Sequence, residues 1–364
     1  MQIKEICNYL EQIAPPHLQE DYDNSGLLIG NANNTFTKAL ITLDVTEAVV
    51  QEAIDNGCNM IIAHHPLIFG GLKRITGKDY VQRCVAMAIK NDIAIYAIHT
   101  NLDNVLWGVN AKIAEKLGLQ NLKILDHKDG QLLKLVTFVP HDKASKVREV
   151  LFAAGAGTIG LYDNCTYNVE GLGTFKAGEG TNPYVGEKNK LHEEPETRIE
   201  TIVPIHLKNE VQKALINSHP YEEVAYDWYP ILNTNPQIGS GVIGELEKEM
   251  EVVEWLEFLK AKMNLSCIRY TKSYTGKVKK VAICGGSGSF LQKTAMAAGA
   301  DAYVTADFKY HEFFIAENSM LLCDIGHYES EIFTNELLLE KLREKYLTFA
   351  AQISAIDTNP INYY

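Results

Sequence analysis

The chain has 364 residues, enough for two or three domains, and its 46% hydrophobic and 22% charged residues are those of an ordinary globular protein. The formal net charge of -12 argues against a large basic face for nucleic acid, and no apolar run approaches the roughly 20 residues of a membrane span. The seven cysteines are scattered, odd in number and without a CxxC pair, which predicts reduced thiols in a cytoplasm, not a disulfide framework.

The N-terminal stretch reads as an amphipathic helix ended by Pro15 and Pro16, and not as a signal peptide. Residues 39–43 then read as a strand, 46–56 as a helix closed by Gly57, and 60–63 as a strand running into His64. A helix over 80–90, a strand over 93–98 and a helix over 110–117 closed by Gly118 continue the alternation. Residues 134–139 read as a strand and 145–154 as a helix. Gly-rich hairpin signals follow, then a strand over 193–203, a helix over 208–217 and a final strand after His219-Pro220-Tyr221-Glu222-Glu223. That order suits a ferredoxin-like α+β unit, inserted over 127–232 into an α/β core formed by 1–126 and 233–364, with 233–240 as the return linker. The alternation resumes with a strand over 279–284, the loop GGSGS, a helix over 290–298 and a strand over 302–305. A helix over 311–317, a strand over 320–324 and one long helix over 329–346 complete it. Residues 51–65 align without gaps on 293–307, Gly57 falling on Gly299, as an internal repeat would.

Three stretches carry the chemistry: AHHPLIF, HTNLD and DIGHYESE. Each follows a strand, and in open α/β sheets ligands collect beyond the carboxyl ends of strands. His64 and His65 are adjacent, so on a strand they point to opposite faces and bind a single ion awkwardly, which suggests two ions. His99 and Asp103, and again His327 and Glu331, stand four apart, the spacing that brings two side chains to one side of a helical turn. Each stretch has a plainer explanation as cap or core; three coincidences at one topological place favour a metal site. Imidazoles and carboxylates suit Zn, Mn, Fe or Ni, with zinc the first choice on abundance. Gly285, Gly286 and Ser287 form a loop able to cradle an anion, but lack the pattern of a nucleotide loop. Asp307 and His311 are candidates for the pocket wall, and the 219–223 stretch reads as turn and packing.

Taken in this order, AHHPLIF, HTNLD, CGGSGSF and DIGHYESE resemble the Nif-three-like family, whose members are often called GTP cyclohydrolase one type two homologues. The resemblance covers the two outer segments, and the insertion resembles the PII-like or CutA-like domain of the longer bacterial members. It implies an α/β core with a dinuclear divalent-metal site and assembly as a hexameric toroid. The implied ligands are His64, His65, Asp103, His327 and Glu331. The expected function is a metal-dependent hydrolase acting on a nucleotide-like substrate. Glu331 is expected to bridge, with His65 and Asp103 on one ion, His64 and His327 on the other, and His99 orienting a ligand or moving a proton. The alternative is a non-catalytic metal-holding ring whose insertion serves as gate or small-molecule sensor.

Overall fold

The computed structural model describes residues 1–364. It divides into two compact units, one made of Met1–His127 with Gln237–Tyr364 and the other of Lys128–Pro236. The first unit holds two sheets. One runs in the order Gly26–Ile29, Ala94–Ala97, Met60–Ala63, Ala39–Thr42, Ala351–Ile353, and the last four strands are parallel. Its three central strands, ALIT, MIIA and AIYA, are buried at every position, as parallel strands covered on both faces must be. The period of two then sorts the residues. Leu40, Ile61 and Ile95 pack with the helices Glu47–Asp55 and Tyr80–Lys90, while Ile41, Ile62 and Tyr96 face the opposite way.

The second sheet runs Arg269–Tyr270, Leu321–Asp324, Ala302–Ala306, Val278–Ser287, Gly239–Met250, Gln120–His127. Its three chemistry-bearing strands, Val278–Ser287, Ala302–Ala306 and Leu321–Asp324, are parallel. Val281, Ile283, Val304 and Cys323 join Ile41, Ile62 and Tyr96 in one core. The helices Ile3–Ile13, Val109–Lys116, Val252–Lys262 and Thr334–Lys345 fill that core with Ile6, Leu10, Ile113, Trp255, Leu259 and Leu338.

The two sheets repeat each other in detail. Ala39 pairs with Met60 as Val281 pairs with Ala302, at the same separation along the chain. Asn59 N–H donates to Lys38 O and Asp301 N–H to Lys280 O; Cys58 donates to Ala53 and Ala300 to Ala295. Gly57 and Gly299, at φ +65 and +71, close the equivalent helices in the left-handed region. The repeat legible in the sequence is thus a repeat of backbone pairing.

Several expected elements differ. The strand expected over 279–284 runs from Val278 to Ser287, so Gly285, Gly286 and Ser287 lie on it and not in a loop. The helix expected over 290–298 opens as a 3-10 turn, Ser289–Leu291, before an α-helix, Gln292–Ala297. The helix expected over 311–317 is only the 3-10 turn Tyr310–Phe314, which holds His311. The long helix expected over 329–346 is two, His327–Glu331 and Thr334–Lys345, because the chain bends where Ile332 and Phe333 pack into the core. Gly239 and Ser240, read as linker, already pair in the strand Gly239–Met250.

The second unit has a four-stranded antiparallel sheet in the order Thr166–Lys176, Leu191–Pro204, Leu132–Pro140, Tyr226–Pro230. Leu135, Val139, Ile199 and Val203 turn inward against Val147 and Leu151 of the helix Ala144–Ala153, and Val211 and Leu215 of the helix Lys208–Ser218.

Candidate metal centre

Three strand ends of the first unit deliver the expected residues to one place. The strand Met60–Ala63 releases the chain at His64, and the next two N–H groups still bond Thr42 O and Leu43 O. Because the strand has ended, the two rings are not sent to opposite faces; their centroids lie 5.0 Å apart, side by side. After Ala94–Ala97 the chain turns into the short helix Thr100–Asp103, and Asp103 N–H bonds His99 O, which puts both side chains on one side. After Leu321–Asp324, Gly326 at φ +91 swings the chain into His327–Glu331, with His327 Nε2 3.1 Å from Glu331 Oε2.

Each histidine is oriented through Nδ1. His64 Nδ1 lies 2.8 Å from Ile98 O, and His65 Nδ1 2.8 Å from Asp44 Oδ1. His99 Nδ1 is 2.8 Å from Asp23 Oδ1, and His327 Nδ1 2.7 Å from Asp307 Oδ2. A backbone carbonyl can only accept, so His64 carries its proton on Nδ1 and, when neutral, turns a lone pair on Nε2 toward the cluster. The carboxylates favour the same tautomer in the other three, an arrangement typical of histidines that bind metal.

The inward atoms lack hydrogen-bond partners. His64 Nε2, His65 Nε2, Asp103 Oδ1 and Glu331 Oε2 are four of the nine buried side-chain atoms in the chain without one. His65 Nε2 and Glu331 Oε2 stand 2.9 Å apart, but their directions are not those of a hydrogen bond. Buried polar atoms left unpaired cost about 1–3 kcal/mol each, so four in one cluster fit a common cation. Ligands about 2.1 Å from a Zn-like ion sit roughly 3–3.5 Å from one another. The separations here bracket that range: 2.9 and 3.1 Å around Glu331 Oε2, 3.8 Å from His64 Nε2 to Asp103 Oδ1, and 3.9 Å from His64 Nε2 to Glu331 Oε1. Two groups, His65 with His327 and Glu331, and His64 with His65 and His99, are compact enough to hold a metal ion. In this geometry His327 stands with His65, and His64 Nε2 faces Asp103 Oδ1.

Charge is tightly coupled here. Burial works against the charge of Glu331, but contacts from His327, His64 and His65 outweigh it and hold the carboxyl well below the usual range. Packing around Asp103, more complete than its 22% side-chain exposure suggests, combines with the Glu331 charge to push it up to about 7. Burial disfavours the cations of His65 and His327, yet contacts with Asp44 and Glu331 raise the first to about 10, and Asp307 and Glu331 raise the second to about 11. Burial pushes the neighbouring Cys284 thiol far up, so it stays protonated and is a poor ligand.

Glu331 is cradled by glycine. Gly286 sits at φ +62, and a Cβ there would run into Glu331 Oε1. Its N–H donates to Ser330 Oγ over 2.9 Å, and Gly285 N–H to Asn110 Oδ1 over 2.8 Å. These glycines thus make room for a carboxylate, where an anion cradle was expected. Asp307 is a support for His327. His311 packs beside Tyr310 and lies outside the cavity. Asp44 and Asp23 went unrecognised in the sequence. Asp44 follows the strand Ala39–Thr42 as the other site residues follow theirs, and that position was a usable signal. Asp23 lies in a loop after no strand and offered none.

The cluster opens into a cavity of about 710 Å³. Tyr22, Phe69, Tyr80 and Phe290 contribute exposed rings to its wall, and no Lys or Arg lines it.

The same chain pattern occurs in known proteins. A Halalkalibacterium halodurans protein named GTP cyclohydrolase 1 type 2 homolog is 40% identical over 366 residues, covering 98% of each chain. A Bacillus subtilis protein of the same name is 38% identical, covering 99% of this chain and 98% of its own. The crystal structure of a Bacillus cereus protein related to NIF3 superposes with a TM-score of 0.88 at 41% identity, covering 100% of this chain and 99% of that one. The model of the Duf34/NIF3 (NGG1p interacting factor 3) family matches residues 1–360, and this chain belongs to that family.

Proposed function

We propose that this protein is a dinuclear metal-dependent hydrolase acting on a flat nitrogen heterocycle. The observation that carries the reading is the set of unpaired inward atoms, each on a side chain held from behind. His65, His327 and Glu331 Oε2 would hold one divalent cation, and His64, Asp103 and Glu331 Oε1 the other, Glu331 bridging. Zinc heads the choice, with Mn, Fe and Ni suited to the same donors. Bound divalent ions supply Lewis acidity and lower the pKa of water at the site. Around them, His99, 12% exposed and held by Asp23, faces the cluster and moves a proton between it and the cavity. Phe69, whose ring lies 5.7 Å from that of His99, and the other rim rings supply stacking surfaces. With no Lys or Arg in the wall, the protein offers no side-chain clamp for a triphosphate. The name borne by the relatives is thereby supported for its ring chemistry more than for GTP itself.

The test is metal analysis and anomalous scattering on the purified chain, with a hydrolase screen over purines, pterins and nucleosides. Two ions per chain and turnover lost in His64→Ala and Glu331→Ala are expected. Metal retained with no turnover on any substrate would favour a metal-holding role, and full turnover without metal would overturn the proposal.

The same reading takes the second unit as ferredoxin-like. Its antiparallel order, with the hairpin Thr166–Lys176 and Leu191–Pro204 on one side of the first strand, the last strand on the other, and two helices on the sheet, supports this. Assembly as a homohexameric ring belongs to the reading too, and light scattering checks it. Seven free cysteines suit a cytoplasmic setting.

A further inference from the structure

Tyr221, Glu222 and Glu223 of the stretch His219-Pro220-Tyr221-Glu222-Glu223, read from sequence as turn and packing, line a second cavity of about 570 Å³ within the second unit. His219 does serve packing: its Nε2 lies 2.9 Å from Phe138 O, and its Nδ1 accepts from Tyr221 N–H over 3.1 Å. That fixes the direction of Tyr221, whose ring then stands 6.2 Å from Phe175 and 6.2 Å from Tyr184. Three aromatic rings so spaced make an open box.

Behind the box is a carboxylate. Glu196 is only 9% exposed, and its Oε1 accepts from Tyr221 O–H over 2.8 Å. Its Oε2 lies over Gly173, where a Cβ would collide with it. Burial, and then the Glu196 contact, raise the Tyr221 phenol far above its ordinary value, so it remains a donor. Glu170, Glu222 and Glu223 also line the cavity. The one cation in the wall, Arg198, is engaged 2.9 Å from Glu200. A wall of rings and carboxylates attracts cations by two routes, the negative faces of the rings and direct charge pairing.

We propose that this cavity binds a small organic cation, an amine or ammonium compound with an apolar body, its charge against Glu196 Oε2 and its body among Phe175, Tyr184 and Tyr221. The site is separate in chemistry from the metal centre and does not depend on it.

Calorimetric titration of the full chain with phenethylamine, benzyltrimethylammonium and the anionic analogue phenylpropionate tests this. The two cations are expected to bind and the anion not. Glu196→Gln, which keeps shape and hydrogen bonding, should weaken cation binding at least tenfold, and Tyr184→Ala severalfold. Glu331→Ala should leave it unchanged, which separates this site from amine coordination at a metal. Unaltered melting of Glu196→Gln by circular dichroism keeps the comparison valid; if that variant fails to fold, the Tyr184→Ala titration decides. Equal or better binding of phenylpropionate, cation binding that survives Glu196→Gln, or no binding of either cation at millimolar concentration would overturn the proposal.

Discussion

The candidate metal centre depends on side chains that do not face it. Asp44 and Asp307 hold the two imidazoles that meet at Glu331 Oε2. Loss of such support usually costs 10–100-fold in metal affinity. Asp44→Asn and Asp307→Asn are each expected to lose about that much in chelator competition, with the far-ultraviolet spectrum unchanged. Gly286→Ala combines a strained φ with a clash at Glu331 Oε1, so it should release metal more completely than either. Protonation gives a further expectation with a definite sign. Asp103 near 7, and His65 and His327 raised to about 10 and 11, hold protons at neutral pH that a cation must displace. Metal affinity should therefore rise with pH from 6 to 9. Titrations in buffers of different ionisation enthalpy should register proton release. An affinity flat across that range would contradict this view of the site.

Short elements aim these side chains, and they are held by buried amides. The helix Thr100–Asp103 is too brief to stand alone. Asn101, fully buried, accepts from His99 N–H over 3.0 Å and donates to Ala14 O over 2.6 Å, at the end of the first helix. Asp23 accepts from Thr100 through both its N–H and its hydroxyl. Asn101→Ala removes the donor to the Ala14 carbonyl and leaves the His99 N–H only its longer contact, 3.3 Å, with Ser25 Oγ. It should cost about 1–3 kcal/mol by denaturant unfolding and loosen His99 and Asp103 together. The helix His327–Glu331 is fixed in the same manner: Ser330 Oγ donates to His327 O over 2.7 Å and accepts from Gly286.

Each of the two units has a core of its own, and the candidate metal ligands all belong to the first. Binding stabilises only what binds, by RT ln(1 + [L]/Kd), about 4 kcal/mol at a thousandfold excess over Kd. Calorimetric unfolding is expected to show a transition lowered by chelator and another that stays in place. A variant lacking 128–236 should retain its metal. Loss of metal on that deletion would place part of the site's support in the second unit.

Most strands and several helices could be read from periodicity because a buried parallel strand admits only apolar residues. The strand at 60–63 and the helix at 80–90 match residue for residue. Edge strands such as Gly26–Ile29 and Gln120–His127 were not legible, since partial exposure lets polar residues in and erases the pattern. The five ligand candidates and their place at strand ends were set by residue type, spacing and flanking strands. Their convergence was not, because His64, His65, His99 and Asp103 come from one sheet and His327 and Glu331 from another. Only the core shared between those sheets brings the two sets together. The same packing decides that His327 stands with His65, and supplies Asp44, Asp307 and Gly286 behind them. Local sequence specifies which donors are available; the distances among them depend on how two distant βαβ layers stack.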